Sequence, residues 1–242
     1  MTAGSRQPRP SPNFDSRPAD RPIDMLILHY TGMQSAEAAL ERLCDAASRL
    51  SAHYLIDEDG SQFALVDESK RAWHAGVARW GGETDINARS IGVELVNPGH
   101  EFGYRPFPAA QMESLIALSR EILERHPIPP RHVLGHADVA PERKQDPGEL
   151  FDWPLLAGHG VGLWHDLAFT DRDMERPETP DIAGLQANLA RFGYDIAASG
   201  RHDDPSRTTV AAFQRHFHRR RWDGVIDWAT LEAAARLCRK IG

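Results

Sequence analysis

Four polar side chains stand where apolar patterning stops or is interrupted. His29 closes the run Ile23-Asp24-Met25-Leu26-Ile27-Leu28. Glu94 breaks into the run Ser90-Ile91-Gly92-Val93-Glu94-Leu95-Val96. His136 and Asp146 lie in the polar stretch from Gly135 to Gly148, which also carries Lys144. Strand ends and the loops after them are where α/β enzymes place their chemistry. Two imidazoles and a carboxylate (His29, His136, Asp146) form a donor set suited to zinc, with a fourth position left for water. Such a metal would bring the pKa of its water towards about 7. Glu94, its pKa raised by an apolar strand, would act as general base and then acid. Lys144 would offset charge on a developing oxyanion. Each residue also has an ordinary reading. A histidine at a strand end can be a satisfied polar group, a glutamate can face water at a sheet edge, and an aspartate before Pro147 can belong to a turn. The combination is what points to a metal.

The elements that must hold these groups follow from periodicity. The run before His29 suits a buried strand between Pro22 and Thr31-Gly32. Residues 35–50 carry Ala39, Leu40, Leu43, Ala47 and Leu50 at helical spacing after a cap at Ser35. Segments 51–56 and 62–66 flank Asp57-Glu58-Asp59-Gly60 and read as a β-hairpin. A helix over 108–125 ends before Pro127, the stretch 131–150 reads as irregular, and a short helix near 151–157 closes the unit. Beyond it, helices over 181–192, 205–219 and 228–239 form a small three-helix unit, near the lower size limit for folding alone. The expected fold is therefore α/β, a mixed β-sheet flanked by helices, followed by a three-helix C-terminal domain. The divisions are a flexible leader at 1–21, a catalytic domain at 22–157, a linker at 158–178 and the helical domain at 179–242.

Composition bounds the partners. With 242 residues, 41% apolar and 26% charged, the chain reads as an ordinary globular protein. Two cysteines, Cys44 and Cys238, exclude a disulfide scaffold and a cysteine-based zinc finger. The net charge of -7 argues against a general nucleic-acid binder. That charge is uneven. Residues 1–178 carry 18 basic and 28 acidic groups, whereas residues 179–242 carry 10 and 7, which suggests two units with different partners. The start has no apolar export segment, no attachment cysteine and no membrane-inserting stretch, so a cytoplasmic location is expected, with the periplasm as the alternative. The oligomeric state is left open.

The motifs Leu28-His29-Tyr30-Thr31, Ser51-Ala52-His53-Tyr54-Leu55-Ile56, Arg71-Ala72-Trp73-His74-Ala75-Gly76, Ser90-Ile91-Gly92-Val93-Glu94, and Gly135-His136-Ala137-Asp138 through Lys144-Gln145-Asp146-Pro147-Gly148 occur in order. Together they resemble the zinc-dependent N-acetylmuramoyl-L-alanine amidases of type 2, the AmpD/AmiD branch, over about residues 22–157. The resemblance implies a Zn2+ site on His29, His136 and Asp146, with Glu94 as base and Lys144 as transition-state stabiliser. It also implies substrate-binding positions at Arg71, His74 and Asn87. The implied reaction is hydrolysis of the amide between the lactyl group of N-acetylmuramic acid and L-alanine. Anhydro-muropeptides in cell-wall recycling are the expected substrate. Polymeric murein in the periplasm, or non-catalytic peptidoglycan recognition, is the alternative. Residues 179–240, with Leu185-Gln186, Phe192-Gly193-Tyr194, Phe213-Gln214 and Asp223-Gly224-Val225-Ile226, resemble a peptidoglycan-binding module. Asp227 stands where that family often has glycine. Arg219-Arg220-Arg221 either meets stem-peptide carboxylates or forms a solvated face. The module either binds murein or braces the catalytic domain.

Overall fold

A run such as Met25-Leu26-Ile27-Leu28, apolar at every position, is what a strand covered on both faces requires. In the computed structural model, which describes residues 6–242, this run lies inside a six-stranded mixed sheet. The strands are β1 (Gln7–Pro8), β2 (Phe14–Ser16), β3 (Met25–Tyr30), β4 (Tyr54–Ile56), β5 (Gln62–Ala64), β6 (Lys70–Ala72), β7 (Ser90–Leu95) and β8 (Val133–Gly135). The helices are α1 (Ala36–Cys44), α2 (Ile86–Arg89), α3 (Gly99–Phe102), α4 (Ala109–Arg125), α5 (His136–Val139), α6 (Trp153–Gly158), α7 (Ile182–Phe192), α8 (Asp204–Phe217) and α9 (Trp228–Lys240). The sheet order is β1-β5-β4-β7-β3-β8, and β2 and β6 form a separate pair. Strands β4, β7, β3 and β8 run parallel, while β4 and β5 form the expected antiparallel hairpin.

Alternation along β3 divides the molecule. Leu26 and Leu28 face the layer that holds Met112, Leu115, Ile116, Leu118 and Ile122 of α4. Met25 and Ile27 face the opposite layer, with Trp80, Leu134 and Ala137 and with Leu189, Phe192, Phe213 and Phe217 of the three C-terminal helices. His29 continues this second set, because side chains two apart share a face. The apolar core under the polar site is thus built by both units. Each C-terminal helix begins on an aspartate N-cap: Asp181 accepts from Gly184 N, Asp203 from Ser206 N and Asp227 from Thr230 N. Such caps stabilise a helix by about 1 kcal/mol each, which accounts for aspartate where the module family often has glycine.

Three expectations change. Residues 1–5 of the expected flexible leader lie outside the described residues. The remainder is built into the fold: β1 pairs with β5, β2 pairs with β6, and Arg17 donates to the carbonyls of Glu68, Asn87, Ala88 and Ser90. The low apolar content of this segment hid it, because its partners are backbone groups rather than a hydrophobic layer. The expected linker at 158–178 is likewise packed. Val161 and His165 are fully buried, and His165 Nε2 donates to Phe217 O at 2.8 Å. The stretch 131–150 contains β8 and α5, each too short to show a period. Among the described residues no helix is long and apolar enough to cross a membrane.

One ion-pair cluster ties the end of α4 to the sheet. Glu68 accepts from Arg125, from His126 Nε2 and from Tyr54 OH, each at about 2.7 Å. Burial opposes the charge on Glu68, yet these donors hold its carboxyl down at about 2. A depressed carboxylate stabilises the folded state above its unfolded pKa and loses that contribution as pH falls through the folded one. Glu68→Gln is therefore expected to lower the melting temperature at pH 7. Its gap to the wild type should close between about pH 4.5 and about pH 2 in thermal scans. A gap that stayed constant over that range would rule out this linkage.

Candidate metal centre

Parallel register places the polar groups side by side. His29 pairs with Glu94 across β3 and β7, and Leu28 pairs with Gly135 across β3 and β8, so His136 follows at the same level as His29. Asp146 is carried back to them by a backbone bond from Ala137 N to Asp146 O, 2.9 Å long. The site therefore stands at the carboxyl ends of three adjacent parallel strands, where α/β sheets open their ligand crevices.

The hydrogen bonds assign the imidazole tautomers. Ser90 Oγ donates to Ile86 O at 2.7 Å, so towards His74 Nε2, 3.2 Å away, it accepts. His74 Nδ1 is then an acceptor and receives His29 Nε2–H at 3.0 Å. His136 Nε2–H donates to Ala75 O at 3.0 Å. Both Nδ1 atoms are left without protons. They lie 2.9 Å apart and at 3.0 and 3.1 Å from the same oxygen, Asp146 Oδ2. Three lone pairs thus converge in a buried place with no proton between them, an arrangement that a cation relieves. Tetrahedral zinc with bonds of about 2.0–2.1 Å holds its ligand atoms about 3.3 Å apart, so a small opening of this triangle fits the ion. Burial, reinforced by His136, lowers His29 to about 4 and keeps it neutral at pH 7. Burial opposes the charge on Asp146, but the two imidazoles hold its carboxyl well below the usual range. The donor set His29, His136 and Asp146 is therefore a site consistent with zinc.

Glu94 and Lys144 border the same cleft of about 1670 Å³, together with Tyr30, Trp73 and Phe102. Burial, then the nearby Asp146, pushes the Glu94 carboxyl well above its ordinary value, and Lys144 partly offsets this. Glu94 Oε2 is buried without a hydrogen-bond partner among the described residues. A lone unpaired oxygen at the cleft carries a cost unless something in the working site uses it.

The three positions expected to bind substrate fare differently. His74 lies behind His29, between it and Ser90, and reaches only the cleft floor. A Cβ at Gly92 would sit 2.5 Å from the His74 ring, so glycine in β7 makes room for it. Arg71 and Asn87 are not among the cleft-lining residues. Arg71 is paired with Asp15 and Asp85, and Asn87 Oδ1 accepts from His74 N and Ala75 N. They hold the scaffold of the cleft instead. Ser90 and Asp138 were missed in the sequence, because a serine opening a strand and an aspartate beside a histidine carry no periodic signal. Only the register could have singled them out. The basic run is paired within the protein, Arg219 with Asp152, Arg220 with Asp171 and Arg221 with Asp227.

Comparison with known proteins agrees with this geometry. The family N-acetylmuramoyl-L-alanine amidase matches residues 19–149, and a peptidoglycan binding domain family matches residues 178–234. The N-acetylmuramoyl-L-alanine amidase AmiD of Escherichia coli is 37% identical over 235 residues, covering 91% of this chain and 84% of AmiD. AmiD in complex with the substrate anhydro-N-acetylmuramic acid-L-Ala-D-gamma-Glu-L-Lys superposes with a TM-score of 0.79 at 37% identity over 93% of this chain and 92% of that one. AmpDh3 of Pseudomonas aeruginosa, in complex with anhydromuramic pentapeptide, gives 0.80 at 33% identity over 93% and 95%. The amidase AmpD of Enterobacter cloacae is 36% identical but covers 60% of this chain. Fold and site together define a metal-dependent amidase. The chain belongs to the N-acetylmuramoyl-L-alanine amidase family, AmpD/AmiD-like, with a separate peptidoglycan-binding module. These matches also correct the expected compartment. AmiD is related across both units, whereas AmpD matches the shorter share, and the likeness to AmiD favours the periplasm over the cytoplasm.

The tautomer chain is open to a direct test. Ser90→Ala frees His74, and with it His29, to take the other tautomer. Outer partners of this kind are worth about 10–100-fold in metal affinity. Competition against a chromogenic chelator should show a loss of that order with the circular dichroism spectrum unchanged. An unaltered affinity would refute the assignment.

Proposed function

We propose that the protein is a zinc amidase of the periplasm. It hydrolyses the amide joining the lactyl group of N-acetylmuramic acid to L-alanine, both in murein and in anhydro-muropeptides. The observation that carries this reading is the triangle of unprotonated donors on His29, His136 and Asp146 beside the unpartnered oxygen of Glu94. AmiD and AmpDh3, the relatives with bound muropeptides, support the choice of bond.

Zinc, when bound to His29, His136 and Asp146, supplies a Lewis acid for the amide carbonyl and acidifies water. The remaining work falls to the chain. Glu94 faces the cleft at the level of His29 and takes a proton from the attacking water. Its raised proton affinity lets it hold that proton until it is passed to the departing L-alanine amine. Lys144, without an ion-pair partner among the described residues, places a positive charge at the cleft where the tetrahedral oxygen develops negative charge. Tyr30, Trp73 and Phe102 give the cleft apolar walls against which a sugar ring or lactyl group can lie.

The cleft also favours the polymer. Pockets for single small ligands usually measure about 300–1,000 Å³, whereas this one reaches about 1670 Å³ and runs from the donor triangle along α1 to Ser51. An extended glycan strand with its stem peptide uses that length better than one muropeptide does. The C-terminal module, matched to a peptidoglycan-binding family, suits the same substrate.

Mass spectrometry of products from intact sacculi and from anhydro-muropeptides should show free stem peptides beginning at L-alanine, lost on chelation and restored by zinc. Cuts within the stem peptide would overturn the reading. Glu94→Gln should keep zinc at full stoichiometry while turnover falls by about 10²–10⁴-fold. Full turnover with zinc retained would remove Glu94 from its role.

A further inference from the structure

The contact between the two units falls on the segment that carries two of the three donors. Asp138 follows His136 within α5 and is buried. Its Oδ2 accepts from Gly135 N at 2.7 Å and from His216 Nδ1 at 2.7 Å, and its Oδ1 accepts from Tyr194 OH. His216 lies in α8, and Tyr194 follows α7. Two of the three donors that satisfy this carboxylate thus come from the C-terminal unit. Trp153 of α6 stacks on the His216 ring at 3.6 Å and 17° between planes, which fixes its rotation. Trp80 closes the other side, edge-on to Tyr194 at 4.9 Å.

The neighbouring residue of α8 approaches the chain just past the other donor, Asp146. Arg215 Nε lies 3.9 Å from Glu149, close after Asp146 in the chain. Glu149 holds His100 Nε2 at 3.2 Å, and Tyr30, beside His29, contacts His100 Nδ1 at 2.9 Å. Between α8 and the donor segment lies a void of only about 10 Å³, lined by Gly135, Asp138, Gln145, Pro147, Arg215 and His216. Close-packed interiors transmit displacement rather than absorb it.

We propose that the C-terminal unit sets the geometry of the metal site, with Tyr194 and His216 as positioning residues that act on His136 through Asp138. The idea rests on His136 and Asp146 being ligands, as the proposed function holds. It goes further, because it gives the module a task inside the catalytic site in addition to any glycan it binds. A buried carboxylate stripped of a donor reorients to recover one. Asp138 caps the strand end at Gly135, so its reorientation moves α5 and the His136 ring with it.

The test uses the full-length holoprotein loaded with zinc or cobalt(II). Zinc release to a chelator and the cobalt d–d absorption band are measured in Tyr194→Phe, His216→Leu and His216→Asn. Leu189→Ala, which removes apolar packing from the shared cluster and no donor to Asp138, serves as the stability control. Asparagine places an amide N–H close to the position of Nδ1. Tyr194→Phe and His216→Leu are expected to release zinc about 10-fold faster or more and to shift the cobalt band. His216→Asn should recover most of both, and Leu189→Ala should lower the melting temperature with neither readout changed. Release rates that follow melting temperature across all four variants, or that stay at the wild-type value, overturn the proposal. If the wild type itself takes up no metal, the ligand assignment fails and the proposal fails with it.

Discussion

The structure is organised around a repulsion. Two unprotonated imidazole nitrogens and a carboxylate oxygen face one another at about 3 Å inside the protein. In a low-dielectric interior such a triangle is costly without a cation. Holding it in place requires support from several directions. Parallel register aligns His29 with Glu94, Ser90 and His74 fix one tautomer, and the Ala75 carbonyl fixes the other. The stored cost is returned when a cation binds, which links metal affinity to the rigidity of the sheet. The unpaired Glu94 oxygen belongs to the same economy of strain, since a site with every group satisfied has no reactive group left.

The chemistry was more legible in the sequence than the scaffold. His29, Glu94, His136 and Asp146 could be singled out because each interrupts or ends an apolar pattern, and the structure brings His29, His136 and Asp146 together in one cluster. The long helix α4 and the three C-terminal helices were readable from their period. The elements that escaped are those with no period to show. β8 and α5 have three and four residues, and β1 has two. Their existence depends on partners distant in sequence. The same limit explains Arg71 and Asn87. Motif position pointed to the groove, but the acidic partners Asp15 and Asp85, and the loop amides at His74 and Ala75, claim those side chains for support.

The division into units that composition suggested is real in sequence and weaker in space. Charge changes sign near the start of the C-terminal unit, and separate families match the two parts. Yet one apolar cluster joins Met25 and Ile27 of the sheet to Phe213 and Phe217 of α8. The basic run that looked available for acidic ligands meets Asp152, Asp171 and Asp227 instead. The exposed pairs of Arg219 and Arg220 contribute little individually, about 0–1 kcal/mol, and Arg221 with the buried Asp227 lies within the C-terminal unit. The apolar cluster supplies most of the adhesion.

Arg17 has a consequence for the order of events in folding. Its guanidinium binds the carbonyls of Asn87, Ala88 and Ser90, about 70 residues later in the chain. Closing so long a loop is slow relative to local helix and hairpin formation, because its entropy cost must be met before the contact rewards it. During synthesis the Arg17 guanidinium therefore waits for β7 before it can take these carbonyls.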